Sequence, residues 1–325
     1  MAKKIVVYCC GGTGVNIGKE ITKLKQTPLH AQDLTTYAEI EVVNIDTSES
    51  DLRRYTNREN TFLFRDMDGS GSDRKMNAEE IRATIPEILN KFRPGDWNIV
   101  LNSCGGGSGS VVGPYLLAAL LTDKEQTIAI GVTNTDTVSR LTNTVRVLRS
   151  YEGVAVSAGR VLPVMLHHSD KDSENNINQK IVKDIKTLSL LFSGEIERLD
   201  SADLKNWLNF NNITSSEVGA VSLKIVTDPK NITDDMNICS VVSLNNNPNI
   251  PVKFPRAMEY HPIGIIDEGA EDTQRAMHFV LVDGEIQKEH TDRSKQLADL
   301  ERQVAARKPR TSIASGRGAH GGVEL

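Results

Sequence analysis

The run Cys104-Gly105-Gly106-Gly107-Ser108-Gly109-Ser110 constrains this chain more than any other feature. It follows Trp97–Ser103, an apolar stretch that reads as a strand buried on both faces, and precedes Val111–Leu121, which reads as a helix. Glycine lets a backbone enter the left-handed region and come within hydrogen-bond reach of a ligand. The start of the following helix adds free N–H groups and the positive end of a dipole. Ser108 and Ser110 can donate hydroxyl hydrogen bonds. So many glycines cost conformational entropy on folding, and the sequence offers no packing return for them. The run is therefore expected to grip phosphate in a nucleotide-binding α/β domain. No Gly-x-x-x-x-Gly-Lys-Ser/Thr occurs, which excludes an ordinary P-loop.

A second glycine turn, Gly11-Gly12-Thr13-Gly14-Val15-Asn16, follows the strand-like Lys4–Cys10. Alone it fits either a ligand-free strand-to-helix turn or a dinucleotide turn, with Asp46 at the end of the next strand holding a ribose. A third segment, Asp68-Gly69-Ser70-Gly71-Ser72, reads alone as a solvated loop.

Further strands are expected at Glu41–Asp46, Thr127–Thr133 and Val161–His167, with helices at Asn77–Phe92 and Thr142–Ala155. That alternation predicts a Rossmann-like α/β domain with a parallel sheet and crossover helices. From Ser173 the pattern changes. Ile177, Ile181, Ile185, Leu188, Phe192, Ile196 and Leu199 recur at helical spacing and predict one long helix over 173–199. Strand-like runs at Val218–Val226, Ile238–Leu244, Gly264–Ile266 and Met277–Val282 then predict a smaller mixed α/β domain. Thr291–Arg307, striped with Leu297, Leu300 and Val304, reads as a surface helix, and a Pro/Ser/Gly/Arg-rich tail follows from Lys308. The expected divisions are 1–172, 173–199, 200–285 and 286–325.

The 325 residues suit two modest domains or one large unit with an appendage, and the net charge of -5 gives no bulk attraction to nucleic acid or anionic membrane. Cys9, Cys10, Cys104 and Cys239 show no metal-ligand spacing, which points to buried, reduced thiols and no metal among the side-chain ligands. The first apolar run is too short for a signal peptide, and none approaches the roughly 20 residues that span a bilayer. A cytoplasmic protein is expected.

The glycine run, the long helix and Leu199-Asp200-Ser201-Ala202-Asp203-Leu204-Lys205 together resemble the tubulin/FtsZ superfamily over roughly Lys3–Val282. The Gly-Gly-Thr-Gly first loop, the short length and Asp203-Leu204-Lys205-Asn206-Trp207 are most similar to bacteriophage tubulins of the PhuZ type. The resemblance implies GTP/GDP and Mg²⁺ as cofactors. Gly11, Gly12, Thr13, Gly14 and Asn16 would form the first nucleotide loop, and Asn44-Ile45-Asp46 the second. Gly69, Ser70 and Gly71 would sense the γ-phosphate. Gly105, Gly106, Gly107, Ser108, Gly109 and Ser110 would hold the α- and β-phosphates. Asn178 would read the guanine edge, and Asp136 would lie in the sugar-binding loop. Two departures stand out: Glu174 where the family often stacks an aromatic on the base, and Arg198 where it usually has Asn.

By the same resemblance Asp200 and Asp203 would act in trans, positioning water at the GTP of the next subunit in a head-to-tail homopolymer. Spaced three apart, both carboxylates could face one water from a single helical turn; a plain helix N-cap explains the same spacing. The filament would position phage DNA or its compartment, indirectly, in the host bacterial cytoplasm. A TubZ-like filament that segregates DNA through an adaptor is the alternative. An NAD(P)-dependent oxidoreductase leaves the second glycine loop and the aspartate pair unexplained, and the intact pair argues against a non-hydrolysing GTP-binding protein. The tail, basic through Lys308, Arg310 and Arg317, would be either a solvated segment or a contact between protofilaments.

Overall fold

The computed structural model describes residues 3–26, 37–52, 59–65, 67, 69, 71, 73–245, 254, 258–266 and 276–307. Its strands are β1 (Lys4–Cys10), β2 (Glu39–Asp46), β3 (Thr61–Leu63), β4 (Trp97–Ser103), β5 (Thr127–Thr133), β6 (Leu162–His168), β7 (Ala220–Val226), β8 (Ile238–Asn245), β9 (Ile263–Ile265) and β10 (Met277–Val282). They form one sheet in the order β3-β2-β1-β4-β5-β6-β7-β10-β8-β9. From β3 to β7 every pairing is parallel, and β10 runs antiparallel between β7 and β8. The helices are α1 (Gly11–Gln26), α2 (Glu49–Leu52), α3 (Ala78–Lys91), α4 (Gly109–Thr122), α5 (Val138–Ala158), α6 (Glu174–Leu191), α7 (Ser201–Leu208) and α8 (Glu285–Ala305).

Alternate residues of β1 and β4 serve two different cores, as the two-residue period of a strand requires. Ile5, Val7, Ile99 and Leu101 pack with Ile17 and Ile21 of α1 and with Ile177, Ile181, Ile185 and Leu188 of α6. Val6, Tyr8 and Val100 pack on the opposite face with α3, α4 and α5. This three-layer burial is why both strands read as unbroken apolar runs. The sheet also crosses the expected boundary near residue 172, because β6 pairs with β7 through Leu162↔Ala220. The first core accordingly includes Trp207, Phe210 and Phe279 from the later half of the chain.

Two helix boundaries differ from those expected. The long helix does not reach residue 199: α6 ends at Leu191, and Gly194 at φ 78° turns the chain out of it. Ile196 and Leu199 keep the apolar rhythm because they still fill the same core, but the backbone there bridges to Ile265 through Glu197. The last helix begins at Glu285 rather than Thr291, and its first half is anchored by Ile286 and Arg293, which are 2% and 8% exposed. The tail beyond residue 307 lies outside the described residues.

The glycine run does have a packing return. A Cβ on Gly109 would sit 2.6 Å from the Cys10 carbonyl oxygen, one on Gly11 2.6 Å from the Gly109 nitrogen, and one on Gly105 2.6 Å from Cβ of Asn134. The expectation that these glycines serve a ligand alone is therefore wrong for at least those positions. Two chain turns interlock at contact distances that no side chain allows.

Gly109→Ala should accordingly destabilise the fold by about 1–3 kcal/mol through overpacking. Gly153→Ala, in α5 with open space around its Cβ, should stabilise it by about 0.5–1 kcal/mol. Thermal melts of the two variants test this, and a Gly109→Ala protein as stable as the wild type would contradict it.

Candidate functional site

Loops after the C-terminal ends of β1, β4, β5 and β6 converge on a cleft of about 360 Å³. Thr13, Gly106, Asn134, Ser169, Glu174 and Asn178 line it, with apolar contact from Val132 and Ile177. Among the described lining residues no side chain is aromatic. Glu174 and Asn178 are four apart at the start of α6, so both reach the cleft from one helix face. Ser173 caps that helix by accepting from the Asn176 N–H at 3.3 Å.

A polar web holds the loops in place. Ser103 Oγ accepts from the Gly106 N–H at 3.1 Å and donates to Asn134 Oδ1 at 2.8 Å. Asn134 Nδ2 donates to Ser169 Oγ at 3.2 Å, and Asn143 Nδ2 donates to the Gly105 carbonyl at 3.2 Å. One residue along the chain from Ser169, Asp170 Oδ2 accepts from Arg293 of α8 at 3.1 Å, and Arg293 also donates to Glu289 Oε1 at 2.7 Å. Behind the glycine run, Tyr151 OH donates to Asn102 Oδ1 at 2.8 Å beside the buried Cys104, whose thiol burial pushes up to about 12. Cys9, Cys10 and Cys104 are all buried free thiols, and Cys239 is half-buried and free.

The second and third loops join the glycine run through Thr47. Its hydroxyl pairs with Ser108 Oγ at 2.5 Å, and its carbonyl accepts from the Gly69 N–H at 3.1 Å. Asp46, 1% exposed, accepts from the Thr47 N–H at 2.7 Å through Oδ1, while its Oδ2 is buried with no hydrogen-bond partner. Burial raises this carboxyl to about 6, against the opposing pull of the Thr47 N–H. Gly69 and Gly71 have φ of 76° and 52° with open space around them, so the turn itself requires them. Ser70 lies outside the described residues.

Some expected site residues stand apart from the cleft. Asn16 is exposed on α1, outside the lining. Asp136 is exposed and accepts from Arg140 at 2.8 Å, and it is Arg140 that lines the cleft. Ser103, Asn134, Arg140 and Ser169 escaped the sequence reading. Asn134 and Ser169 follow β5 and β6 just as the glycine loops follow β1 and β4, and that position was the available signal.

Asp200 and Asp203 lie at the other end of the sheet. They line a cavity of about 520 Å³ with Lys3 and Trp97, which mark the N-terminal ends of β1 and β4. The seven residues of β1 span roughly 20 Å at ~3.3 Å each. The two carboxylates do not share one helical turn: Asp200 is the extended N-cap of α7, and the pair forms a reciprocal capping box. Asp200 Oδ1 accepts from the Ala202 and Asp203 N–H groups at 2.7 and 2.9 Å, and Asp203 Oδ2 accepts from the Asp200 N–H at 3.2 Å. Tyr260 OH donates to Asp203 Oδ1 at 3.1 Å, while both cap bonds of the Asp200 side chain run through its Oδ1. Among those residues no group could hold a metal through His, Cys, Asp and Glu alone, and no helix is long and apolar enough to cross a membrane.

Residues 4–156 match the Tubulin/FtsZ family GTPase domain, and residues 199–283 match the C-terminal domain of phage tubulin-like proteins. The phage tubulin-like protein of Pseudomonas phage phiKZ is 30% identical over 292 residues, 86% of this chain and 84% of that protein. That of Pseudomonas phage 201phi2-1 is 27% identical over 286 residues, 86% and 85% of the two chains. Among solved structures, the protofilament of TubZ from bacteriophage PhiKZ superposes with a TM-score of 0.84 at 28% identity, covering 95% of this chain and 94% of that one. The GDP complex of the phage tubulin PhuZ superposes with a TM-score of 0.83 at 24% identity over 95% of each chain. The chain belongs to the phage tubulin-like branch of the tubulin/FtsZ GTPase family.

Proposed function

We propose that this protein is a polymerising GTPase whose active site is completed between two copies stacked head to tail. The observation that carries the proposal is the separation of the cleft from the Asp200–Asp203 cap, which occupy opposite ends of one sheet. Within one chain the aspartates cannot reach the cleft. In a stack, the Asp200 end of one copy faces the cleft end of the next, and a contact of that kind that does not close on itself makes a filament.

In this reading Gly105–Ser110 and Gly11–Gly14 grip the phosphates, Gly69 and Gly71 shape the loop nearest the γ-phosphate, and Asn178 pairs with the guanine edge through its amide donor and acceptor. Asn16, on α1, completes the first nucleotide loop, and Asp136, paired with the cleft residue Arg140, lies in the sugar-binding loop. The orphaned Oδ2 of Asp46 fits a hard cation beside the phosphates. Asp46 would hold Mg²⁺, which would neutralise phosphate charge in the bound state. The capping box fixes where Asp200 points and leaves Oδ2 free to orient water against the neighbour's γ-phosphate. Residues 1–172 then form the GTP-binding part, 173–199 the connection, 200–285 the activating part, and 286–325 the C-terminal helix and tail. A phage cytoskeletal filament of this kind would act in the host cytoplasm and position DNA or its compartment indirectly.

Asp200→Ala should still bind GTP and polymerise but release phosphate at least about a hundredfold more slowly, in line with loss of a group that positions water. Phosphate release per sedimented subunit tests this, and normal turnover would contradict it. Asp46 supplies a second test in the nucleotide-free protein. Its folded pKa of about 6 exceeds the ordinary carboxylate value of 3.8, so its contribution to stability is full below 3.8 and lost as pH rises through 6. Asp46→Asn should therefore melt above the wild type at pH 7.5, and the gap should narrow as pH falls from about 6 toward 3.8. A gap independent of pH would contradict the assignment.

A further inference from the structure

Arg198 sits two residues ahead of the Asp200 cap with φ 62°. Among the described residues only Lys124 shares the left-handed region without being glycine. A long side chain is strained there, and Asn or Gly would adopt the same backbone more easily. Packing does not explain the choice. The side chain is 66% exposed, and its ion pair is with Glu197 at 3.5 Å, itself 68% exposed, a contact worth little in water. Strain at an exposed position, uncompensated by packing, directs attention to what the residue meets in the assembly.

Arg198 lines the same cavity as Asp200 and Asp203. Lys3 is there too, held against Asp96 at 3.4 Å. Across the subunit contact lies the cleft, where Arg140 is the sole cation among the described lining residues and is paired with Asp136. A nucleoside triphosphate in that cleft would thus meet two incoming carboxylates with one side-chain cation, already paired, in the described lining. A guanidinium entering beside them offsets this repulsion, and its planar fork can donate to two phosphate oxygens at once.

We propose that Arg198 is a trans-acting cation that contacts the nucleotide phosphates of the neighbouring subunit and stabilises the hydrolytic transition state. The inference rests on the head-to-tail reading above. In the reaction the water oxygen bonds to the γ-phosphorus as the bond to the β–γ bridging oxygen breaks. The electron pair leaves with GDP, and the water proton passes to the released phosphate or to solvent. Arg198 neither gives nor takes a proton; it balances charge spread over the phosphoryl oxygens.

The test compares wild type, Arg198→Asn, Arg198→Lys and Asp200→Ala, measuring phosphate release per sedimented subunit with GTP and melting temperature without it. Asn keeps the left-handed backbone and relieves strain, so Arg198→Asn should melt no lower than the wild type. It should hydrolyse GTP at least about tenfold more slowly per polymerised subunit, a modest share of the ~10³ or more that an arginine supplied in trans can contribute. Arg198→Lys should recover part of the loss. Turnover by Arg198→Asn within about twofold of wild type, with Asp200→Ala impaired, would overturn the role of Arg198 and leave the head-to-tail site standing; normal turnover by Asp200→Ala would overturn both. Should Arg198→Asn not sediment alone, copolymers with excess wild type give the same reading. A fall in turnover with the variant fraction supports the proposal, and no fall overturns it.

Discussion

The cleft end of this molecule is built on the contact between two backbones, where Gly11 and Gly109 approach so closely that a single methyl group on either would collide with the other's loop. That contact sets the spacing of β1 and β4 at their C-terminal ends. It also puts the starts of α1 and α4 side by side, each with the free N–H groups of a first helical turn. The remaining polar groups are arranged around this junction. Ser103 ties the glycine run to Asn134, Thr47 ties it to the Asp46 and Gly69 loops, and Asn143 secures the carbonyl of Gly105. Each link satisfies a buried donor or acceptor that would otherwise be left without water.

The web does not stop at the cleft. Ser169 sits between Asn134, which lines the same cleft, and Asp170, which Arg293 holds from the C-terminal helix. With Arg293 only 8% exposed and bonded on several sides, α8 is tied to the wall of the cleft. The charge distribution is equally directional. A strained, exposed arginine and two capping aspartates occupy one end of the sheet, and a polar cleft whose described lining holds one cation, already paired, occupies the other.

Much of this was legible in the sequence because it is carried by short-range signals. Unbroken apolar runs marked β1, β4 and β5, since burial on both faces erases the alternation that a half-exposed strand would show. The glycine loops marked the ends of β1 and β4. Other features depend on contacts between distant segments and leave no local trace. Nothing local told that α6 stops at Leu191, because Ile196 and Leu199 serve the same core from an extended backbone paired with Ile265. The start of α8 was missed because Ile286 and Arg293 find their partners in α5 and the β6–α6 turn, far away in sequence. The site was read in part for the same reason. Thr13, Gly106 and Asn178 lie in conspicuous motifs, whereas Asn134 and Ser169 are ordinary polar residues made significant by the strands they follow. The aspartate spacing suggested shared access to one water from a helical turn, yet the cap draws the two side chains toward each other's backbone instead.

The central claim is that neither end of the sheet hydrolyses nucleotide alone, and that contact between copies supplies the missing half. GTP turnover per subunit, measured from dilutions too low for assembly up to concentrations where sedimentation shows polymer, tests this most directly. The account predicts turnover near background in the dilute range and a rise that tracks the polymerised fraction. A turnover per subunit that stays constant across the series would contradict it.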